Sequence, residues 1–214
     1  RLEAVKKTAV NFINSRKSDR IGIIVFAGES FIQCPLTVDK LVLKSLIDEI
    51  NIVSKEYDGT AIGMAIANAT NRLRKSLVKS KVMVLLSDGS NNSGEIDPRT
   101  AAELALQYDI KIYTIGAGTN QAFTRIPGRG LIKNEIDEET LKFIANKTGG
   151  KFFRATNNSS LKKIYDEIDL LEKSKIKVTE FSKKKEEFRL FLYVPFLLLV
   201  VSYIFENTIL KRLL

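Results

Sequence analysis

The sequence predicts a doubly wound α/β fold, with helices on both faces of a mostly parallel sheet. Short runs of β-branched and other apolar residues, of the length of buried strands, recur along the chain. Segments with helical periodicity, each of roughly 10 to 16 residues, separate these runs. This alternation is typical of right-handed βαβ units, whose crossover helices cover a parallel sheet.

The first half of the chain supplies two of the strands. Apolar residues at helical spacing predict an opening helix over residues 2–13. Residues 19–28 (DRIGIIVFAG) form a continuous apolar run that ends in glycine, which predicts a strand buried on both faces. The other elements predicted in this half are a partner strand at 31–36, helices over 41–50 and 62–77, and a buried strand at 81–87 (KVMVLLS).

Two aspartates mark helix starts in the second half. Asp97 precedes Pro98, and proline suits the first helical position because its missing N–H would be unpaired there anyway. Asp137 caps a helix that runs to residue 147 and is stopped by a glycine pair. Strands at 110–115 and 151–154 and a last helix over 159–172 complete one predicted domain over residues 1–172.

The rest of the chain has a different character. Residues 173–187 form a lysine-rich linker, and residues 190–205 (LFLYVPFLLLVVSYIF) carry no charge. Extended to 188–210, this stretch predicts a transmembrane helix, flanked by cations and followed by a tail at 211–214. A buried core helix or an oligomerisation helix is the alternative interpretation of the same run.

Composition excludes several classes of function. The 214 residues include no histidine, which removes Ser-His-Asp and Cys-His catalytic systems and histidine-containing zinc sites. The single cysteine cannot form an internal disulfide or a Cys-x-x-Cys pair. Gly116-Ala117-Gly118 lacks the third glycine of a dinucleotide fingerprint, since residue 121 is glutamine. The net charge of +9 comes from lysines scattered along the helices, so we predict no nucleic-acid binding.

Two residues are candidate metal ligands because of their positions in loops, one after a predicted strand and the other before a predicted helix. Asp88 comes directly after the strand at 81–87, and Thr60 precedes the helix that starts at 62. Ligands of open α/β sheets bind outside the carboxyl ends of the strands. Carboxylate and hydroxyl oxygens suit a hard cation, Mg²⁺ or Mn²⁺. The alternatives are an ordinary turn aspartate and a helix N-cap.

The chain resembles a von Willebrand factor type A domain of the BatA branch of bacterial aerotolerance proteins. The matching stretches lie within residues 1–180, and the tail through PFLLLVV is similar to that family's final membrane helix. The matching stretches are RLEAVKKTAVNFI, DRIGIIVFAGESFIQCPLT, YDGTAIGMAIANA, VMVLLSDGSNNSGEIDP, IYTIGAGT, IDEETLKFIANKTGGKFFRAT and IYDEIDLLEKSKIKV.

The resemblance implies a metal-ion-dependent adhesion site built from three loops. Thr60 corresponds to its threonine and Asp88 to its later aspartate. The third loop, Asp-x-Ser-x-Ser, and its central strand would lie upstream of Arg1. We therefore expect an N-terminally truncated fragment, in which the first central strand is missing and the metal site is incomplete.

The resemblance also implies a function. It predicts a non-enzymatic, membrane-anchored domain that binds a carboxylate of a partner protein through Mg²⁺ or Mn²⁺ and acts in oxygen or oxidative-stress tolerance. Other Bat proteins and a MoxR-type AAA ATPase are the expected partners, in the bacterial inner membrane. The resemblance favours a periplasmic domain, whereas the excess of lysine and arginine before residue 190 over that after the apolar run favours a cytoplasmic one, so both sides stay open. A Mg²⁺-dependent hydrolase that uses Asp88, and a pore or scaffold subunit defined by its tail, are the alternatives.

Overall fold

The computed structural model describes residues 2–16, 18–52, 58–76, 78, 80–118, 123–126, 130–133 and 136–181. The chain divides into two compact units, Arg1–Ile168 and Asp169–Leu214. The helices are α1 (Leu2–Ser15), α2 (Lys40–Asp48), α3 (Ile62–Leu73), α4 (Pro98–Gln107), α5 (Glu138–Lys147) and α6 (Asn158–Phe181). The strands are β1 (Ile21–Phe26), β2 (Ser30–Thr37), β3 (Lys81–Ser87), β4 (Ile110–Ala117), β5 (Phe123–Ile126), β6 (Gly130–Lys133) and β7 (Phe152–Ala155).

A parallel sheet in the order β3-β4-β7 is the centre of the first unit. Lys81 pairs with Ile110 at one end of β3 and Ser87 with Gly116 at the other, so β3 and β4 are in register along their length. Helix α4 connects β3 to β4, and α5 precedes β7, as expected of βαβ crossovers. The predicted α/β fold with a parallel sheet is confirmed.

The strands β1 and β2 form a separate antiparallel pair, in which Phe26 lies opposite Ser30. Strand β1 was expected to be buried on both faces, but most of its residues are only half-buried. The reason is that β2 is its one partner strand among the described residues. A short hairpin of β5 and β6 also forms, which no pattern in the sequence predicts.

Two apolar cores among the described residues hold these layers together. The larger core packs α3, α4 and α5 against β3 and β4, and its fully buried side chains include Ile66, Ile112 and Ile144. The smaller core joins α1 and α2 to the β1–β2 pair around Ile13, Cys34 and Leu43. Burying each of the isoleucine and leucine side chains of these cores stabilises the fold by about 1.5 to 3 kcal/mol relative to exposure.

The helix starts follow the predicted capping chemistry in two places and depart from it in one. Asp97 caps α4 by accepting from the backbone N–H groups of Arg99 and Thr100, and Asp137 caps α5 through Thr140. Helix α3 instead begins after Ala61, whose side chain makes no capping bond. Its missing acceptor comes from a distant loop, described below.

The C-terminal helix is longer than predicted. It continues to Phe181, through the first part of the predicted linker at 173–187. Within the part of the chain that the structure describes, no helix is both long and apolar enough to cross a bilayer. The predicted transmembrane segment at 188–210 lies outside the described residues, so it stays a prediction.

Candidate metal centre

Strand β3 ends in a tight polar turn that carries Asp88. Ser87, the last residue of the strand, is buried, and its Oγ donates to the carbonyl oxygen of Gly89 at 3.1 Å. The carboxylate of Asp88 is exposed between these two residues. The turn therefore places an exposed carboxylate at the carboxyl end of β3, where open α/β sheets bind their ligands.

Thr60 lies directly against this turn. A Cβ built on Gly89 would come 3.0 Å from Thr60 Oγ1, so the hydroxyl approaches the residue that follows Asp88. The backbone N–H of Asn92 donates to the Thr60 carbonyl oxygen at 3.1 Å and ties the two loops together. The structure thus brings the two predicted site residues into neighbouring loops, although 27 residues separate them in the sequence.

The interpretation of Thr60 as a helix N-cap is wrong. The capping position of α3 belongs to Ala61, whose side chain makes no capping bond, and the N–H of Ile62 donates to Asn91 Oδ1. Thr60 is half-buried, and its Oγ1 lies close to Gly89. The side-chain oxygen of an N-cap residue accepts a hydrogen bond from a backbone N–H of the first turn, whereas the Thr60 oxygen lies beside the turn of Asp88.

The carboxyl end of β1 completes the wall of the site. The backbone N–H of Ala61 donates to the carbonyl oxygen of Ala27 at 2.7 Å. Gly59 packs so closely that a Cβ built on it would lie 3.1 Å from Gly28 Cα and would overlap Ser93 Oγ. Three loops therefore meet at one point: the end of β1, the segment before α3 and the turn after β3.

Two asparagines that sequence analysis did not select hold these loops in place. Asn92 Oδ1 accepts from the backbone N–H of Thr60 at 2.8 Å, and Asn91 Oδ1 accepts from that of Ile62 at 2.8 Å. The signal was present in the polar run SDGSNNSG that follows a buried strand. Nothing in the local pattern, however, shows which distant N–H groups those amides meet.

The donor chemistry of this site fits part of a hard-cation site. Asp88 offers a carboxylate and Thr60 a hydroxyl, and both are oxygen ligands of the kind that Mg²⁺ and Mn²⁺ take. Across the described residues no group of three or more acidic or cysteine side chains is placed to hold a metal. Other ligands of an octahedral set would come from water, a partner or further side chains.

Comparison with known proteins gives a family match over most of the chain. The model of the von Willebrand factor type A domain matches residues 1–167. An uncharacterized protein of Borreliella burgdorferi is 31% identical over 221 residues, which cover 100% of this chain and 64% of that protein. The chain thus spans less than two thirds of the length of this relative.

Two solved structures resemble the fold and share appreciable sequence. BatB, a conserved hypothetical protein from Bacteroides thetaiotaomicron, has a TM-score of 0.67 and 29% identity, over 81% of this chain and 89% of that one. An aerotolerance-related membrane protein from Bacteroides fragilis has a TM-score of 0.65 and 26% identity, over 78% and 87% of the two chains.

A third structure shows the fold alone. Proximal thread matrix protein 1 of the mussel byssus, described with a zinc-occupied MIDAS motif, is 22% identical with a TM-score of 0.61. The similarity covers 78% of this chain and 39% of that protein.

Proposed function

This chain belongs to the von Willebrand factor type A family, and we propose that its domain binds a partner protein through a divalent cation held by Thr60 and Asp88. The observation that carries the proposal is the approach of the Thr60 hydroxyl to the turn of Asp88. The hydroxyl lies close to Gly89, the residue after Asp88, and the exposed Asp88 follows the carboxyl end of β3, where open α/β sheets bind their ligands.

The two ligands have different tasks. The exposed carboxylate of Asp88 supplies negative charge and an oxygen ligand, directly or through water. Thr60 supplies a neutral hydroxyl, which holds the cation without cancelling its charge. When bound, Mg²⁺ or Mn²⁺ supplies a Lewis-acidic position that a carboxylate from the partner protein fills. The domain then acts as a non-enzymatic interaction module.

The cellular part of the proposal rests on the relatives. The Bacteroides fragilis structure is of an aerotolerance-related membrane protein, and BatB is a further structure of high similarity. We therefore propose a role in oxygen or oxidative-stress tolerance at the bacterial inner membrane, with residues 188–210 as an anchor and the domain in the periplasm. Other Bat proteins and a MoxR-type AAA ATPase are the proposed partners.

Partner capture from detergent-solubilised membranes tests this function. The full-length protein, tagged and washed in Mg²⁺, should retain its partner, and EDTA should release it. Asp88→Ala should lose capture, and Thr60→Ala should weaken it less because a neutral ligand contributes less to the affinity of the cation. Asp166→Ala, an exposed aspartate on α6, is the matched control and should capture normally.

Two outcomes would contradict the proposal. Capture that survives EDTA would show that no cation is needed. Capture by folded Asp88→Ala at the level of the wild type would show that Asp88 is an ordinary turn residue. The melting curve of each variant establishes that it is folded before capture is compared.

A further inference from the structure

Asn92 forms hydrogen bonds with both the backbone N–H and the backbone carbonyl oxygen of Thr60. Its Oδ1 accepts from the Thr60 N–H at 2.8 Å, and its own N–H donates to the Thr60 carbonyl oxygen at 3.1 Å. The Oδ1 atom also accepts from Ser93 Oγ at 3.0 Å, which fixes the orientation of the amide. The backbone N–H and carbonyl oxygen of Thr60 are therefore both hydrogen-bonded to one residue that lies 32 positions further along the chain.

The side chain of Asn91 accepts a hydrogen bond from the start of α3. Backbone N–H groups in the first turn of a helix have no partner within the helix. The cap residue Ala61 offers no side-chain acceptor, and Asn91 Oδ1 accepts from the Ile62 N–H across 29 positions. The loop that carries Asp88 thus provides the acceptor that the helix behind Thr60 lacks.

We propose that Asn91 and Asn92 are positioning residues that hold the Thr60 hydroxyl at a fixed place beside Asp88. This inference rests on the proposed function, since it concerns the geometry of the same cation site. The side-chain bond of Asn92 sets the backbone at residue 60, and the bond of Asn91 sets the helix that follows it. Neither asparagine is required to touch the cation.

The physical reason is that Mg²⁺ demands near-ideal octahedral geometry, so its affinity depends on the placement of each ligand as well as on the ligand's charge. Residues that orient ligands typically change metal affinity about 10- to 100-fold when they are removed. Asn92→Ala keeps the backbone N–H bond to Thr60 and removes the side-chain bond alone. The Thr60 peptide is then held at one group instead of two, and its hydroxyl is no longer fixed.

The test measures Mn²⁺ binding by electron paramagnetic resonance and backbone amide exchange by mass spectrometry, on the full-length protein in detergent. Asn92→Ala should raise the Kd for Mn²⁺ about 10- to 100-fold and speed amide exchange in the segment around Thr60. Asn92→Asp keeps an acceptor oxygen and should restore both. Asn51→Ala, in which the lost amide donates to the nearby Glu49 carbonyl, is the matched control and should change neither.

Asn91→Ala is a second variant, in case Asn92→Ala does not fold. It should speed exchange at the start of α3 and weaken Mn²⁺ binding, but less than Asn92→Ala does because Thr60 keeps its own bond. Wild-type affinity in both folded alanine variants would overturn the inference while leaving the proposed function intact. Absence of Mn²⁺ binding by the wild-type protein would instead contradict the proposed function. Faster exchange with unchanged affinity would show a purely structural role for the asparagines and so overturn the inference.

Discussion

Gly59 is the position where a single methyl group should separate the three loops of the site. Its φ of +140° lies in a region that side chains rarely adopt. A Cβ added there would overlap Ser93 Oγ and lie 3.1 Å from both Ser93 Cβ and Gly28 Cα. Gly28 Cα is backbone and cannot rotate away, so Gly59→Ala must move one loop relative to the others.

The expected cost has two parts. Backbone strain at a glycine-only φ is worth about 1 to 3 kcal/mol, and overpacking a tight contact adds about 1 to 3 kcal/mol. Gly59→Ala should therefore lower the free energy of unfolding by about 2 to 6 kcal/mol, a large part of the stability of an ordinary domain. Gly149→Ala is the matched control, because its φ is +74° but nothing lies within 4 Å of its Cβ. It should cost about 1 to 2 kcal/mol from strain alone.

Urea unfolding followed by circular dichroism measures both variants. Ser93→Gly in the Gly59→Ala background removes the overlapping side chain and should recover part of the loss, as a positive coupling in a double-mutant cycle. If Gly59→Ala costs no more than Gly149→Ala, or if Ser93→Gly recovers nothing, the close approach of the three loops is refuted.

Three further predictions concern other parts of the chain. Burial raises the pKa of Tyr165 to about 12 from its ordinary 10. Because the pKa is higher in the folded than in the unfolded protein, the folded state is stabilised by the neutral phenol below pH 10, and this stabilisation is lost between pH 10 and about 12. That loss is about 2 to 3 kcal/mol, and Tyr165→Phe should reduce the fall in urea midpoint over this range; an unchanged fall would contradict it. Burial, and then the Asp39 carboxylate, raise the pKa of the Cys34 thiol, which is 2% exposed. A thiol reagent should therefore label Cys34 only after unfolding, and labelling of the folded protein would show the thiol to be accessible. Leu198→Arg would place a charge in the predicted transmembrane segment at a cost of about 2.5 to 3.5 kcal/mol; it should shift the protein into the carbonate-soluble fraction, and wild-type protein that is itself extracted by carbonate would rule out the anchor.

The features that sequence analysis predicted are those that neighbouring residues determine. The run KVMVLLS forms β3 at the predicted residues because its apolar pattern and its polar end are both local. Asp97 and Asp137 cap α4 and α5 because a carboxylate reaches N–H groups two or three residues away. Such contacts need no knowledge of the tertiary fold.

The features that it did not predict depend on contacts between distant segments. The exposure of β1 depends on which strands pair with it, and an apolar run carries no information on its partners. The roles of Asn91 and Asn92 depend on acceptor and donor groups that lie 29 and 32 positions apart. The placement of Thr60 beside Gly89 likewise follows from these bonds, although the resemblance to a known family pointed to the same two loops.

Direct titration with Mn²⁺, followed by electron paramagnetic resonance, tests the central claim that Thr60 and Asp88 hold a divalent cation. The full-length protein should bind Mn²⁺ at a site from which Mg²⁺ displaces it. Asp88→Asn removes the charge at nearly constant shape and should abolish that binding, whereas Asp166→Asn on α6 should leave it unchanged. Equal Mn²⁺ binding by the wild type and by folded Asp88→Asn would contradict the assignment of Asp88 as a ligand.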